Sequence, residues 1–81
     1  MQDFILYHTL GCHLCEEAEQ ILKTLAIPFR HVDIADDEDL VDRYGIRIPV
    51  LHELQSGDEI GWPFDEKTVL AFIRHFKGHH G

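Results

Sequence analysis

Tyr7-His8-Thr9-Leu10-Gly11-Cys12-His13-Leu14-Cys15 holds both cysteines of the chain, two residues apart, where an apolar run gives way to a helical pattern. Upstream, Phe4-Ile5-Leu6-Tyr7 is nearly continuous in apolar character, which predicts a strand buried on both faces in the middle of a sheet. Gly11 breaks that pattern. From His13 to Ala26 the apolar residues Leu14, Ala18, Ile21, Leu22 and Leu25 recur at helical spacing. Glu16, Glu17 and Glu19 fall in the first turns and Lys23 comes late, as the helix dipole favours. Pro28 is expected to end this helix, because the residue before a proline resists the helical region.

Downstream, Phe29 to Ile34 reads as a second strand with Phe29, Val32 and Ile34 inward. Strand, crossover helix and strand make a βαβ unit, whose two strands should be parallel. The run Asp36-Asp37-Glu38-Asp39 reads as the solvated first turn of a short helix through Leu40, Val41 and Tyr44, closed by Gly45. A contiguous acidic run lacks the spaced ligands and turn glycine of a calcium loop. Val50 to Leu54 forms a third strand. Ser56-Gly57-Asp58 then supplies turn chemistry, and Glu59-Ile60-Gly61 returns as a short fourth strand. Asp65 is suited to cap a last helix that has Val69, Leu70, Ile73 and Phe76 on one face, Phe72 at its margin and Gly78 as its stop. The expected order is β-α-β-α-β-β-α, an α/β chain forming a single domain over residues 1–81.

Composition narrows the function. The 81 residues carry 15 acids against 7 Lys and Arg, a formal net charge of −8. Neutralising phosphates takes clustered Lys or Arg, and the chain has no such cluster, so nucleic acid and anionic membranes are not expected partners. Met1-Gln2-Asp3 lacks the basic region of a signal peptide, and the following apolar run is too short to span a membrane. The expected location is therefore cytoplasmic. In a reducing compartment, neighbouring cysteines point to metal binding or redox chemistry and not to a permanent staple.

Half of a structural zinc site would need two more Cys or His ligands at matching spacing. There is no second C-x-x-C. Among the seven histidines, only His75 with His79 or His80 has ligand-like spacing, so no metal ligand is assigned. A cytosolic C-x-x-C beside a βαβ pattern reads instead as a dithiol redox centre. Cys12 at a helix N-terminus meets free N–H groups and the dipole, which favour an anion. Such placement lowers a thiol pKa from ~8.5 to roughly 3.5–7.5 and converts it to thiolate at neutral pH. Cys15, one turn later, lies ~5–6 Å away between Cβ atoms, close enough to reach disulfide geometry after a small shift. Cys12, the more open of the two, is expected to attack a disulfide, and Cys15 to resolve the mixed disulfide. His13 either stabilises the Cys12 thiolate or faces solvent, and His8 is a weaker candidate for the same role.

These residues resemble the thioredoxin fold, and in particular its glutaredoxin-like branch. A second anchor, Tyr44-Gly45-Ile46-Arg47-Ile48-Pro49-Val50-Leu51, is similar to the segment before the third strand in thioredoxins and glutaredoxins. A third is Gly61 followed by the capping Asp65. Leu6 stands where thioredoxins carry a buried acid, which places the chain on the glutaredoxin-like side. The resemblance implies a four-stranded mixed sheet flanked by helices, a cis Ile48–Pro49 bond, and a substrate-binding role for Ile48 and Pro49. It also implies a thiol–disulfide oxidoreductase of cytosolic redox homeostasis, acting on protein or small-molecule disulfides as a monomer. No cofactor would be permanently bound, and glutathione is a candidate reductant. The chain departs from the family where the glutathione-holding basic residue and Gly-Gly pair are replaced by Thr9 and Gly61-Trp62, and the Pro-Tyr between the cysteines by His13-Leu14. The alternative within the same branch is a module that binds a metal or a [2Fe–2S] cluster through Cys12, without disulfide reductase activity.

Overall fold

A computed structural model describes the backbone of residues 3–77 and the side chains of residues 3–75. Four strands form one mixed sheet: β1 (Phe4–His8), β2 (Arg30–Asp33), β3 (Val50–Glu53) and β4 (Glu59–Gly61). Three helices intervene: α1 (His13–Thr24), α2 (Glu38–Tyr44) and α3 (Glu66–Lys77), with a 3-10 turn at Ile34–Asp36. The sheet order is β2-β1-β3-β4. β1 runs parallel to β2 and antiparallel to β3, and β3 and β4 form an antiparallel hairpin. This is the α/β thioredoxin-like arrangement, with β1 internal as its apolar run requires.

Alternation along the strands sends side chains to two different layers. Phe4 and Leu6 of β1 and Leu51 of β3 join Ala18 and Leu22 of α1 and Val69 and Ile73 of α3 in the main core. Val50 packs on the opposite face with Ile34 and with Tyr44 of α2, and Tyr7, Leu40 and Ile48 pack at the margin of that cluster. Leu6, Ala18, Leu22, Val50, Leu51 and Val69 are fully enclosed.

Three local expectations are corrected. The buried stripe of α1 is Cys15, Ala18 and Leu22, whereas Leu14 is exposed. Leu70 of α3 is likewise exposed, and the helix buries Val69 and Ile73. Helix α1 ends at Thr24, four residues before Pro28. Its stop is a left-handed residue, Ala26 at φ 58°. The Ala26 N–H donates to the Lys23 carbonyl at 3.0 Å and the Ile27 N–H to the Leu22 carbonyl at 3.0 Å, the paired bonds of a Schellman cap.

The acidic run is divided, Asp36 closing the 3-10 turn before α2 begins, and the other ends are as expected. Asp37 caps α2, accepting the Asp39 N–H at 2.8 Å, and Glu38 and Asp39 fill its first turn. Gly45 is the C-cap of α2, and a Cβ there would lie 2.5 Å from the Val41 carbonyl oxygen. Asp65 accepts the Thr68 N–H at 2.9 Å at the start of α3. The expected stop at Gly78 lies outside the described residues.

Candidate active site

The turn from β1 into α1 is built by Thr9–Cys12. The Cys12 N–H donates to the Thr9 carbonyl at 3.3 Å. The third residue, Gly11, sits at φ 78°, a conformation that favours glycine. The turn leaves Cys12 as the N-cap residue of α1, in extended backbone geometry. Its Sγ accepts the backbone N–H of Cys15 at 3.1 Å, the place where a capping oxygen ordinarily sits. Cys12 is half-buried and Cys15 is only 4% exposed. The two sulfurs are joined in a disulfide with their Cα atoms 5.2 Å apart, within the usual range for such a bond. The pair thus sits at the tip of a helix with the geometry a disulfide requires.

Of the two roles open to His13, the structure adopts the solvent-facing one. Its side chain is 83% exposed and its Nε2 lies 3.4 Å from Glu17 Oε2. His8 instead packs edge-on against His31, ring centroids 5.0 Å apart. Among the described residues, no group of three or more His, Cys, Asp or Glu is placed to hold a metal ion. His79 and His80, the spacing partners of His75, lie outside the described residues.

Ile48 and Pro49 reach the same end of the sheet. Tyr7 pairs with Val50, so continuing that register sets Pro49 level with His8 and Ile48 level with Thr9. The Ile48–Pro49 bond is cis, and so is Trp62–Pro63, for which no sequence signal stands out. The Pro49 carbonyl accepts the Trp62 N–H at 3.1 Å, tying this loop to the end of β4. The Ile48 N–H is already committed to the Tyr44 carbonyl at 3.1 Å.

Three large apolar side chains stand out in the segments that bear these residues. Leu10 is 85% exposed in the turn before Cys12, Leu14 is 44% exposed between the cysteines, and Ile46 is fully exposed before Ile48. Helical spacing places Leu14 in the core and assigns no role to Leu10 or Ile46. The signal for Leu10 was available, since it lies in a turn with no helical or strand period to bury it.

The described residues contain no helix long and apolar enough to cross a membrane. A family model described as Glutaredoxin-like domain (DUF836) matches residues 3–74. The N-acetyl-S-hydroxy-L-cysteine reductase of Bacillus subtilis (strain 168) is 31% identical over 83 residues, spanning 90% of this chain and 86% of that protein. The X-ray structure of the structural-genomics target protein XcR50 from X. campestris superposes with a TM-score of 0.82 at 39% identity, covering 88% of this chain and 95% of that one. Trichomonas vaginalis thioredoxin superposes at a TM-score of 0.53 and 20% identity over 95% of this chain and 78% of its own, a likeness of fold.

Proposed function

This chain belongs to the glutaredoxin-like domain family, and from that membership we propose that it is a thiol–disulfide oxidoreductase working through Cys12 and Cys15. The observation that carries the reading is the capping position of Cys12. Its sulfur already occupies the site where the α1 N-terminus and the Cys15 N–H would hold a thiolate. In the reduced protein, the Cys12 thiolate attacks one sulfur of a substrate disulfide and expels the other as a thiolate. Cys15, deprotonated, then attacks Cys12 Sγ and releases the second substrate thiolate. The protein is left with the Cys12–Cys15 disulfide, and two electrons have passed to the substrate. A dithiol or two equivalents of a monothiol such as glutathione would restore the reduced form.

The partial exposure of Cys12 and the burial of Cys15 support this division of labour. Ile48 and Pro49 would flank the bound substrate, with Ile48 offering its carbonyl because its N–H is engaged. The exposed Leu10, Leu14 and Ile46 favour substrates with apolar or neutral flanks, either protein disulfides or small ones. The reaction would contribute to redox homeostasis in the cytoplasm, with the protein acting as a monomer.

The relative from Bacillus subtilis favours a second substrate class for the same dithiol. Its name describes reduction of an S-hydroxy cysteine, that is, a sulfenic acid. The Cys12 thiolate would attack that sulfur and displace hydroxide as water. Cys15 would then resolve the mixed disulfide as before.

The test is single-turnover reduction of a fluorogenic disulfide by the reduced protein and two variants. Cys12→Ser should lose at least about 100-fold in rate. Cys15→Ser should react once and stop as a mixed disulfide visible by mass. Alkylation of Cys12 in Cys15→Ser should titrate below pH ~7.5, and an inflection near ~8.5 would count against an activated thiolate. A Cys12→Ser variant as fast as wild type would overturn the proposal.

A further inference from the structure

The loop that carries Ile48 and Pro49 is fastened from below by one carboxylate. Glu59, on the edge strand β4, receives the Tyr44 hydroxyl at 2.8 Å, with Oε2 as acceptor. Its Oε1 receives the Arg47 guanidinium at 3.0 Å, and its Oε2 lies 3.0 Å from His52 Nδ1. Tyr44 is the last residue of α2, Arg47 lies within the loop, and His52 lies in β3 just beyond it. The three partners thus bracket the loop on both sides. Tyr44 is 2% exposed and its ring stacks on Tyr7 of β1, centroids 4.5 Å apart. Arg47 lies over the Tyr44 ring, 5.4 Å from its centroid. The Tyr44 carbonyl accepts both the Arg47 N–H at 2.8 Å and the Ile48 N–H at 3.1 Å. Glu59 is therefore linked to Ile48 through Tyr44, whose hydroxyl it accepts and whose carbonyl holds the Ile48 N–H.

We infer that Glu59 is a positioning residue, fixing the Ile48–Pro49 backbone for an extended peptide disulfide while taking no part in the sulfur chemistry. The inference rests on the proposed oxidoreductase activity and adds a division between substrates. An extended peptide runs beside Ile48 and needs its carbonyl held in place. A small disulfide needs only Cys12. Loss of the Glu59 carboxylate takes the hydrogen-bond partner from the Tyr44 hydroxyl and the ion pair from Arg47, leaving the loop to its ring packing and backbone bonds, so an ordered binding edge becomes a looser one.

The experiment compares wild type, Glu59→Gln and Glu59→Ala on two substrates: a peptide with an internal disulfide and bis(2-hydroxyethyl) disulfide. Glu59→Gln keeps the shape but weakens the charge-assisted bonds. It should raise KM for the peptide roughly 5-fold with kcat nearly unchanged. Glu59→Ala should raise it 10-fold or more. Turnover of the small disulfide should stay within about twofold of wild type, and so should the pH midpoint of Cys12 alkylation. If KM for the peptide is unchanged in both variants, Glu59 does not position the loop. Equal losses on both substrates with a lowered Tm would mark a merely structural role and also overturn the inference. Wild type inactive on both substrates would instead overturn the oxidoreductase reading on which it rests.

Discussion

Glu53 is a carboxylate enclosed to 1% exposure, and the fold spends it on its own hairpin. Its Oε1 accepts the Ser56 N–H at 2.8 Å, and its Oε2 accepts the N–H groups of Gln55 at 3.1 Å and Asp3 at 3.4 Å. Burial pushes its pKa up, but the backbone donors of Ser56 and Gln55 outweigh that and hold it below the ordinary carboxylate range. A depressed pKa means the unfolded state binds the proton more tightly, so this group stabilises the protein above the unfolded pKa of ~4.3. That stabilisation is lost as pH falls through the lower folded value. Glu53→Gln should therefore be less stable than wild type at pH 7 by about 1–3 kcal/mol. The gap should narrow between pH 6 and pH 3, as read from urea midpoints at each pH. Glu19 and Glu59, whose pKa values are also lowered, are present in both proteins and cancel. A gap that does not change with pH would rule out the carboxylate as the source. Nothing at Glu53 in the sequence announces this burial. It becomes visible only once the turn after it aims the N–H groups of Gln55 and Ser56 at the carboxylate and the Asp3 N–H joins them.

At the level of elements, α1 shows what periodicity can and cannot deliver. Its existence and start were legible, because Gly11, the acidic first turns and the apolar spacing agreed. Its phase agrees with the apolar spacing except at Leu14, since Ala18 and Leu22 are buried and Ile21 and Leu25 pack against the same core. Cys15 was counted as chemistry and Leu14 as core, but a buried cysteine packs as a small apolar side chain, and Cys15-Ala18-Leu22 is the true stripe. Its end was misread because a left-handed alanine carries no sequence signal, whereas Pro28 does. That alanine yields a prediction. An L-residue in the left-handed region costs about 1–2 kcal/mol, and glycine there costs about 0.4–1 kcal/mol in unfolded-state entropy. Ala26→Gly should therefore stabilise the protein by about 0.5–1 kcal/mol. For a domain of this size that raises Tm by roughly 2–8 °C. Thermal unfolding checks it, and an unchanged or lower Tm would mean that Ala26 sits there without strain. The dithiol of the site was equally legible, since a C-x-x-C needs only local spacing. The Glu59 cluster was not, because Tyr44, Arg47, His52 and Glu59 meet only through the register of the β3–β4 hairpin.

For the molecule as a whole, the decisive quantity is the excess of acid, a formal charge of −8 on a chain with a radius of gyration of 12.3 Å. At 0.01 M salt the screening length is ~30 Å, so an approaching substrate feels the charge of the entire protein. At 0.1 M it is ~10 Å, and only the groups around Cys12 matter. Those groups include Glu16 in the first turn of α1 and Glu17, whose partner His13 is charged only when protonated. Electrostatic steering acts on the rate of encounter more than on the chemical step. The rate of Cys12 attack on disulfides should accordingly divide by substrate charge. An anionic disulfide, such as glutathione disulfide, should react faster as salt rises from 0.01 to 0.3 M, by roughly 2- to 5-fold. Cystamine, which is cationic, should react more slowly over the same range, and bis(2-hydroxyethyl) disulfide should show little change. Stopped-flow rates under single-turnover conditions separate the three. If the anionic and cationic substrates respond to salt alike, the acidic surface does not govern access to Cys12. The opposite slopes would mean that the charge of the fold selects among thiol partners before the cysteines meet them. On that basis the protein should discriminate against glutathione most strongly in dilute buffer, through long-range repulsion, with no dedicated contact needed to exclude it.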